Sequence, residues 1–364
     1  MNKLPKNWQE YKLKDLCVIN YGKGLGKSNI VNGNIPVYSS GGIIGFHNTY
    51  NVNSEGVIIG RKGNAGSVFY SDKPFFCIDT AFYIEPNNQY DLKYLFYKLV
   101  SMNLKNHKTG TAIPGLIRND IYKLSISIPP LDEQKRIASA LSKIDAYLEN
   151  TIKLIEEKER FKRGIAKKLL TCKEGENIPE ARFKGFEDEW ETKTLNSISN
   201  IKKGEQKNKL DLIADGKYPV LNGGMNFSGY CNSYNREANT ITISEGGNAG
   251  YVNFIKEKFW SSGHCYTLHD LKIDKYFLYQ CLKNSEKRLM KLQLGTALKN
   301  IRQSEIVEFE LNIPKSIKEQ EKIGGYLSLL DEEIDNLKKQ KELIKEMKRG
   351  AMQKLLSGEV RLLE

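Results

Sequence analysis

A second copy of its own pattern is what most limits how this chain can fold. Trp8-Gln9-Glu10-Tyr11-Lys12-Leu13 returns 182 residues later as Trp190-Glu191-Thr192-Lys193-Thr194-Leu195. Gly63-Asn64-Ala65-Gly66 returns after 184 residues as Gly247-Asn248-Ala249-Gly250. Gly110-Thr111-Ala112 returns after 185 as Gly295-Thr296-Ala297, and Lys162-Arg163-Gly164 after 186 as Lys348-Arg349-Gly350. The order is kept and the offset drifts by only four residues, so a whole unit is duplicated. Solenoid repeats run at roughly 20–50 residues, so each copy is instead a domain with an arm attached. Two similar but non-identical readers suit a target with two similar but non-identical halves.

Each copy divides into a β-rich part and a long helix. Short apolar runs punctuated by glycine and asparagine predict strands at 34–38, 57–59, 67–70 and 75–78. The second copy answers at 218–221, 240–243 and 250–254, and helical stretches follow at 91–103 and 274–291. This predicts an α+β head with helices segregated from an antiparallel sheet. The period then changes. After Ile128-Pro129-Pro130, apolar residues fall at Ile137, Leu141, Ile144, Leu148, Ile155, Ile165 and Leu169. After Ile313-Pro314 they fall at Ile323, Leu327, Leu330, Ile334, Leu337, Ile344, Ala351 and Leu355. Steps of three and four make a narrow seam, which suits a partner helix better than a globular surface. Polar seam positions such as Thr151, Lys158 and Lys341 interrupt it, and such residues often fix register. The two arms are expected to pack on each other as an antiparallel coiled coil, each rising roughly 54 Å over about 36 residues.

Charge and cysteine usage narrow the class. The net charge is +12; residues 1–131 carry 15 basic and 8 acidic groups, while residues 172–316 carry 21 and 19. A basic excess is the footprint of a phosphate-binding surface. The six cysteines form no C-x-x-C pair, which reads as reduced thiols of a cytosolic protein. The first residues lack the apolar segment of a signal peptide, and no apolar run reaches about 18 residues, so a cytoplasmic protein without membrane contact is expected.

Gly110-Thr111-Ala112 followed by Ile128-Pro129-Pro130-Leu131-Asp132-Glu133-Gln134 resembles the "GTA … IPP … EQ" signature of type I restriction-modification specificity subunits. Pro179-Glu180-Ala181-Arg182-Phe183-Lys184-Gly185-Phe186, ahead of Trp190, resembles that family's approach to a second recognition domain. The second copy departs from the pattern, with Ile313-Pro314-Lys315 for the double proline and Leu298-Lys299-Asn300 for Ile113-Pro114-Gly115. The resemblance implies a first target-recognition domain at 1–131, a spacer helix at 132–172, a linker and second recognition domain at 173–316, a second spacer helix at 317–357 and a tail at 358–364. It implies a non-catalytic subunit reading a bipartite site in double-stranded DNA, one half per domain, with the gap set by the helices. It also implies two modification subunits that carry S-adenosylmethionine and methylate adenine, and restriction subunits that cleave DNA using ATP and Mg. None of these cofactors is expected on this chain.

The DNA contacts are expected in the repeated glycine loops, where small residues let the backbone approach phosphates and polar side chains reach base edges. In the first copy the candidates are Lys23, Lys27, Ser39, Ser40, Arg61, Lys62, Asn64, Ser67, Lys108, Thr109, Thr111 and Arg118. In the second they are Lys202, Lys203, Lys207, Asn222, Glu245, Asn248, Tyr251, Thr296, Lys299 and Arg302. Aligned at Gly-Asn-Ala-Gly, Arg61 opposes Glu245. Arginine grips guanine O6 and N7, whereas glutamate accepts from cytosine N4, so this position is expected to make the half-sites differ. A tight hairpin accounts for the same glycines structurally.

Other chemistry is weaker. Tyr21-Gly22-Lys23-Gly24-Leu25-Gly26-Lys27-Ser28 misses the phosphate-loop pattern by one residue, and Lys202-Lys203-Gly204-Glu205-Gln206-Lys207 loses it entirely. Cys265 with His264 and His269 lacks a second cluster for zinc, so no metal is expected. Glu156-Glu157-Lys158 reads as a solvated helix face rather than nuclease chemistry, and no N-P-P-[YF] segment of an adenine methyltransferase occurs. Two rivals remain: a coiled-coil interaction protein with two ligand-binding heads, and a nucleotide-dependent enzyme using the 22–28 loop.

Overall fold

The computed structural model describes residues 5–26, 33–108, 115–295 and 299–362. The chain forms two compact units, Met1–Ile152 with Lys339–Glu364, and Lys153–Lys338. Each unit therefore contains a β-rich head, the start of the long helix that follows that head, and the end of the other long helix.

In the first unit, strand Gln9–Lys12 pairs antiparallel with Ser125–Ile128, closing the head between residues 113 to 119 positions apart. A four-stranded sheet is ordered Asn20–Tyr21, Ala81–Ile84, Gly56–Gly60, Val68–Ser71. A three-stranded sheet is ordered Gly42–His47, Ile35–Ser39, Phe76–Cys77, and its last pair is parallel. The second unit repeats the design with Glu191–Thr194 on Glu310–Ile313 and sheets of four and three strands. The expected α+β class is present, and the expected strands appear within a few residues of their places. The sheets differ from a purely antiparallel design in one pair each, Val37 with Phe76 and Val220 with Trp260. The expected helix at 274–291 is two helices, Lys275–Asn284 and Glu286–Met290.

Recurrent caps explain the head helices. Asp91 Oδ1 accepts from Tyr94 N at 2.8 Å and Asp274 Oδ1 from Phe277 N at 2.7 Å, satisfying otherwise orphaned amides. The Gln of each Glu-Gln pair ties that same cap to the start of a long helix. Gln134 accepts from Asp91 N at 2.9 Å and donates to Pro129 O at 2.9 Å; Gln320 accepts from Asp274 N at 2.9 Å and donates to Pro314 O at 2.8 Å.

The long helices span Leu131–Leu170 and Ile317–Ser357. Their seam residues divide between two roles. Ile137 and Leu141 are sealed in the first head's own core with Trp8, Leu13 and Tyr94, alongside Leu355 and Leu356 from the end of the second helix; Ile144 packs against the same cluster. Ile323, Leu327 and Leu330 join Trp190, Leu195 and Phe277, with Ala166, Leu169 and Leu170 from the end of the first helix. Ile155, Ile334 and Ile344 are buried outside both clusters, and Leu148 and Leu337 are half-buried. The uniform helix–helix seam is thus corrected: its N-terminal third doubles as head core, because helix starts directly after a closing strand lie over the head. Beyond that third, polar pairs bridge the helices in opposite directions. In the first unit Lys348 meets Asp145 at 2.5 Å and Gln340 bonds the Tyr147 hydroxyl. In the second, Lys338 meets Glu159 at 2.7 Å, Lys158 meets Glu333 at 2.7 Å and Lys162 meets Asp331 at 2.6 Å. In both units higher numbers on one helix face lower numbers on the other, an antiparallel arrangement.

The buried Glu of each Glu-Gln pair takes a half-buried arginine. Arg361 grips Glu133 with two bonds of 2.6 and 2.7 Å and donates to Lys6 O at 2.9 Å. Arg182 grips Glu319 at 2.7 and 2.9 Å and donates to Asp188 O at 2.7 Å. Each arginine follows one long helix in the chain, Arg182 by twelve residues and Arg361 by four, and holds the start of the other. Bidentate guanidinium–carboxylate geometry of this kind fixes orientation as well as adding energy.

Candidate nucleic-acid interface

The repeated Gly-Asn-Ala-Gly is a hairpin turn of the same form in both heads. Gly66 N donates to Gly60 O at 2.9 Å and Ser67 N to Asn64 O at 3.2 Å; Gly250 N donates to Ser244 O at 2.8 Å and Tyr251 N to Asn248 O at 2.9 Å. Gly66 and Gly250 have φ of +83° and +87°, and a Cβ on either would sit 2.5 Å from Lys105 N or 2.9 Å from Met290 N. The turn chemistry is therefore structural, and it presents exposed Lys62 and Asn64 in one head and exposed Asn248 in the other. Gly22 and Gly204 are equally constrained, since a Cβ there would lie 2.0 Å from Ile78 O or 2.2 Å from Ser262 O. The near-match to a phosphate loop is explained by that close strand approach.

Strand register superposes the positions around the turn. Tyr21 pairs with Phe82 and Lys203 with Tyr266, so Arg61, Tyr21, Phe82 and Arg118 correspond to Glu245, Lys203, Tyr266 and Arg302. In the first head two guanidinium groups flank one ring: Arg61 lies 4.9 Å and Arg118 4.7 Å from the centroid of exposed Tyr21. Arg61 Nη1 donates to Asp79 O at 3.0 Å, and Arg118 Nη1 to Ile19 O at 3.4 Å. Aromatic stacking and one carbonyl bond fix Arg61 while leaving most of its five donors for a ligand. In the second head the carboxylate of Glu245 is 14% exposed; it pairs with Lys203 at 2.6 Å, accepts from Tyr266 Oη at 2.9 Å and lies 3.6 Å from His264 Nδ1. Burial and then Glu245 push the Tyr266 phenol well above its usual range. Both hydrogen bonds fall on Oε1 of Glu245, and the exposed group beside it is Lys203.

The remaining candidates scatter around these centres. Ser39 is buried and bonds Gly42 O within its own turn, Ser40 N donates to Thr80 Oγ1 at 3.4 Å, and Ser67 is half-buried. Lys23, Lys108, Lys202, Lys299 and Arg302 are exposed. Lys207 lies 3.6 Å from the Trp260 ring, and Lys283 lies 3.9 Å from the half-buried Tyr251 ring. Asn222 is half-buried and its Oδ1 has no partner among the described residues. Lys27, Thr109, Thr111 and Thr296 lie outside the described residues. Residue-by-residue reading missed Tyr21; its signal was an aromatic beside a glycine opposite a paired strand, visible only once register is known.

The zinc candidates do not converge. Cys265 is buried, His264 faces Glu245, and His269 Nε2 lies 2.8 Å from Thr267 Oγ1. Burial, then Arg236 and Lys202, hold the His269 imidazole below its usual range. Among the described residues no group of three or more His, Cys, Asp or Glu side chains could hold a metal, and no helix is long and apolar enough to cross a membrane.

Two α+β heads, each offering one shared turn with its own side chains and each tied to a long helix, define a tandem reader. The chain belongs to the family described as the type I restriction modification DNA specificity domain, whose model matches residues 5–157 and 187–346. A Mycoplasma pneumoniae protein, S.MpnORF638P, is 40% identical over 151 residues, covering 41% of this chain and 40% of that protein's length. The MjaVIII specificity subunit of a Methanocaldococcus jannaschii type I restriction enzyme is 27% identical over 342 residues, covering 85% of this chain and 80% of its own. The crystal structure of a type I restriction-modification system S subunit from M. genitalium superposes with a TM-score of 0.76 at 24% identity, covering 97% of both chains, a likeness of fold.

Proposed function

We propose that this chain is the non-catalytic DNA sequence-recognition subunit of a type I restriction-modification complex. It reads a bipartite site in double-stranded DNA, one half with each head, across a gap set by the two long helices packed as a coiled coil. Modification and restriction subunits dock on it and carry the catalysis, with S-adenosylmethionine, ATP and Mg bound to them, in the cytoplasm. The observation that carries this reading is the repeated turn: one backbone design presents Arg61 and Arg118 around Tyr21 in the first head, and Lys203 with Glu245 in the second. A scaffold held constant while its cationic tip changes is what two different half-sites require. Arginine is suited to guanine in the major groove. Binding strength comes largely from phosphates and weakens as salt rises.

The test is the methylation motif made by the chain co-expressed with its modification subunits. Arg61→Ala should relax the first half-site and leave the second intact; an unchanged first half removes Arg61 from the readout. Inserting four residues near 150–155, about one helical turn, should lengthen the tolerated gap. A gap that stays the same rules out the helices as its determinant. If the co-expressed complex shows no salt-dependent binding to duplex DNA, the interaction-protein reading replaces this one.

A further inference from the structure

The small sheets of the two heads are built in one register but carry different lysines. Val37 pairs with Phe76 as Val220 does with Trp260, and the bridges Val52–Phe75 and Arg236–Phe259 match. Position by position, Lys207, Lys217 and Lys258 of the second head fall where the first has Leu25, Asn34 and Pro74. In the second head Lys207 Nζ lies 3.6 Å from the Trp260 ring centroid, Lys258 Nζ 4.3 Å from Tyr234, and Lys217 Nζ 5.4 Å from Tyr218. The Tyr218 and Tyr234 rings lie 4.9 Å apart and join the last two contacts into one rack. Lys258 shares its charge with Glu237 at 3.1 Å; Lys207 and Lys217 have no carboxylate partner among the described residues. Both faces expose large apolar side chains, Ile43, Phe46 and Tyr50 in the first head and Phe227, Tyr230 and Tyr234 at the matching places in the second, so the lysines are what differs. Segment charge suggests the reverse, with 15 basic against 8 acidic groups in residues 1–131 and 21 against 19 in 172–316.

Lysines laid over ring faces have already lost much of the rotamer freedom that binding an anion otherwise costs, so they form a preorganised cationic surface. That surface continues from the readout turn, since Lys207 follows Lys203 by four residues along the segment leaving the Glu245 pair. We infer that the Lys207–Trp260 and Lys217–Tyr218–Tyr234–Lys258 rack of the second head is a phosphate-backbone contact surface for duplex DNA beside the half-site that head reads, and that the described residues of the first head hold no counterpart. The inference rests on the DNA-recognition reading above and adds an asymmetry to it: the second half-site is gripped through more phosphates than the first.

The experiment uses the assembled complex and a duplex carrying its methylated motif, with binding measured across salt concentrations. Each phosphate contact contributes about 0.9 to the slope of log K against log salt. Lys207→Gln with Lys217→Gln should make the slope shallower by about 1.8 and weaken binding on the order of tenfold near 0.15 M salt, with the methylated motif unchanged. Leu25→Lys with Asn34→Lys should steepen it by a similar amount. An unchanged slope in the lysine variant, with its thermal melt intact, overturns the inference while leaving the DNA reading in place. Loss of co-purifying modification subunit with an unchanged slope overturns it in favour of a protein-docking face. A wild-type complex without salt-dependent duplex binding overturns both.

Discussion

Arg361 is the side chain whose loss should most clearly separate a buried ion pair from a surface one. Its side chain is 18% exposed and holds a Glu133 side chain that is only 2% exposed, with both carboxylate oxygens engaged. Arg361→Ala strands that carboxylate away from water and also removes the bond to Lys6 O. Breaking a buried pair from one side costs about 3–5 kcal/mol; the partly open arginine places this case near 3 kcal/mol. The exposed Lys123–Asp120 pair, 2.8 Å apart with side chains 75% and 41% exposed, is the internal control, and Asp120→Ala should cost about 0–1 kcal/mol. The assay is urea unfolding followed by Trp8, whose ring lies 5.9 Å from the Arg361 guanidinium, in a background where Trp190 and Trp260 are phenylalanine. A double change, Glu133→Leu with Arg361→Met, should recover most of the loss, because it removes the stranded charge as well as the pair. An Arg361→Ala loss no larger than that of Asp120→Ala refutes the argument, since Glu133 would then be finding water or another donor.

Other tests address different forces. Lys98 donates at 2.6 Å to Leu356 O, and burial lowers its pKa to about 8 from 10.5. The unfolded chain binds more protons between those values, so Lys98 makes stability rise with pH from about 8 to 10.5. Against Lys98→Met, which lacks the titrating amine, the wild-type-minus-variant stability difference should rise by roughly 3 kcal/mol over that range. Glu245→Ala should destabilise the second unit by roughly 1–2 kcal/mol in denaturant melts, since Lys203 loses its acceptor and Tyr266 Oη keeps only Ile301 O, and should relax the second half-site and leave the first intact on motif retyping. Five cysteines are buried and Cys172 is half-buried, so a thiol reagent on the native protein should label Cys172 first, and Cys172→Ser should remove that fast phase.

The long helices, the duplicated heads and the Glu-Gln pairs were legible in the residues because helix periodicity is local: the positions that define a face lie three or four apart. The repeat also carried a signal that spacing concealed. Glu180-Ala181-Arg182-Phe183 and Glu359-Val360-Arg361-Leu362 are equivalent, but their offset of 179 falls outside the 182–186 series of the other repeats. That they clamp Glu319 and Glu133 was decided by the fold. So was the pairing of Gln9–Lys12 with Ser125–Ile128, and so were the Lys203 and Tyr266 partners of Glu245. Seam residues Ile137 and Ile323 look like Ile155 in sequence, yet only the first two sit in head cores. The sequence by itself determined which segments coil and which extend; the tertiary structure decided which of them meet, because strand pairs, clamps and cores join residues more than a hundred positions apart, where no local pattern distinguishes one partner from another.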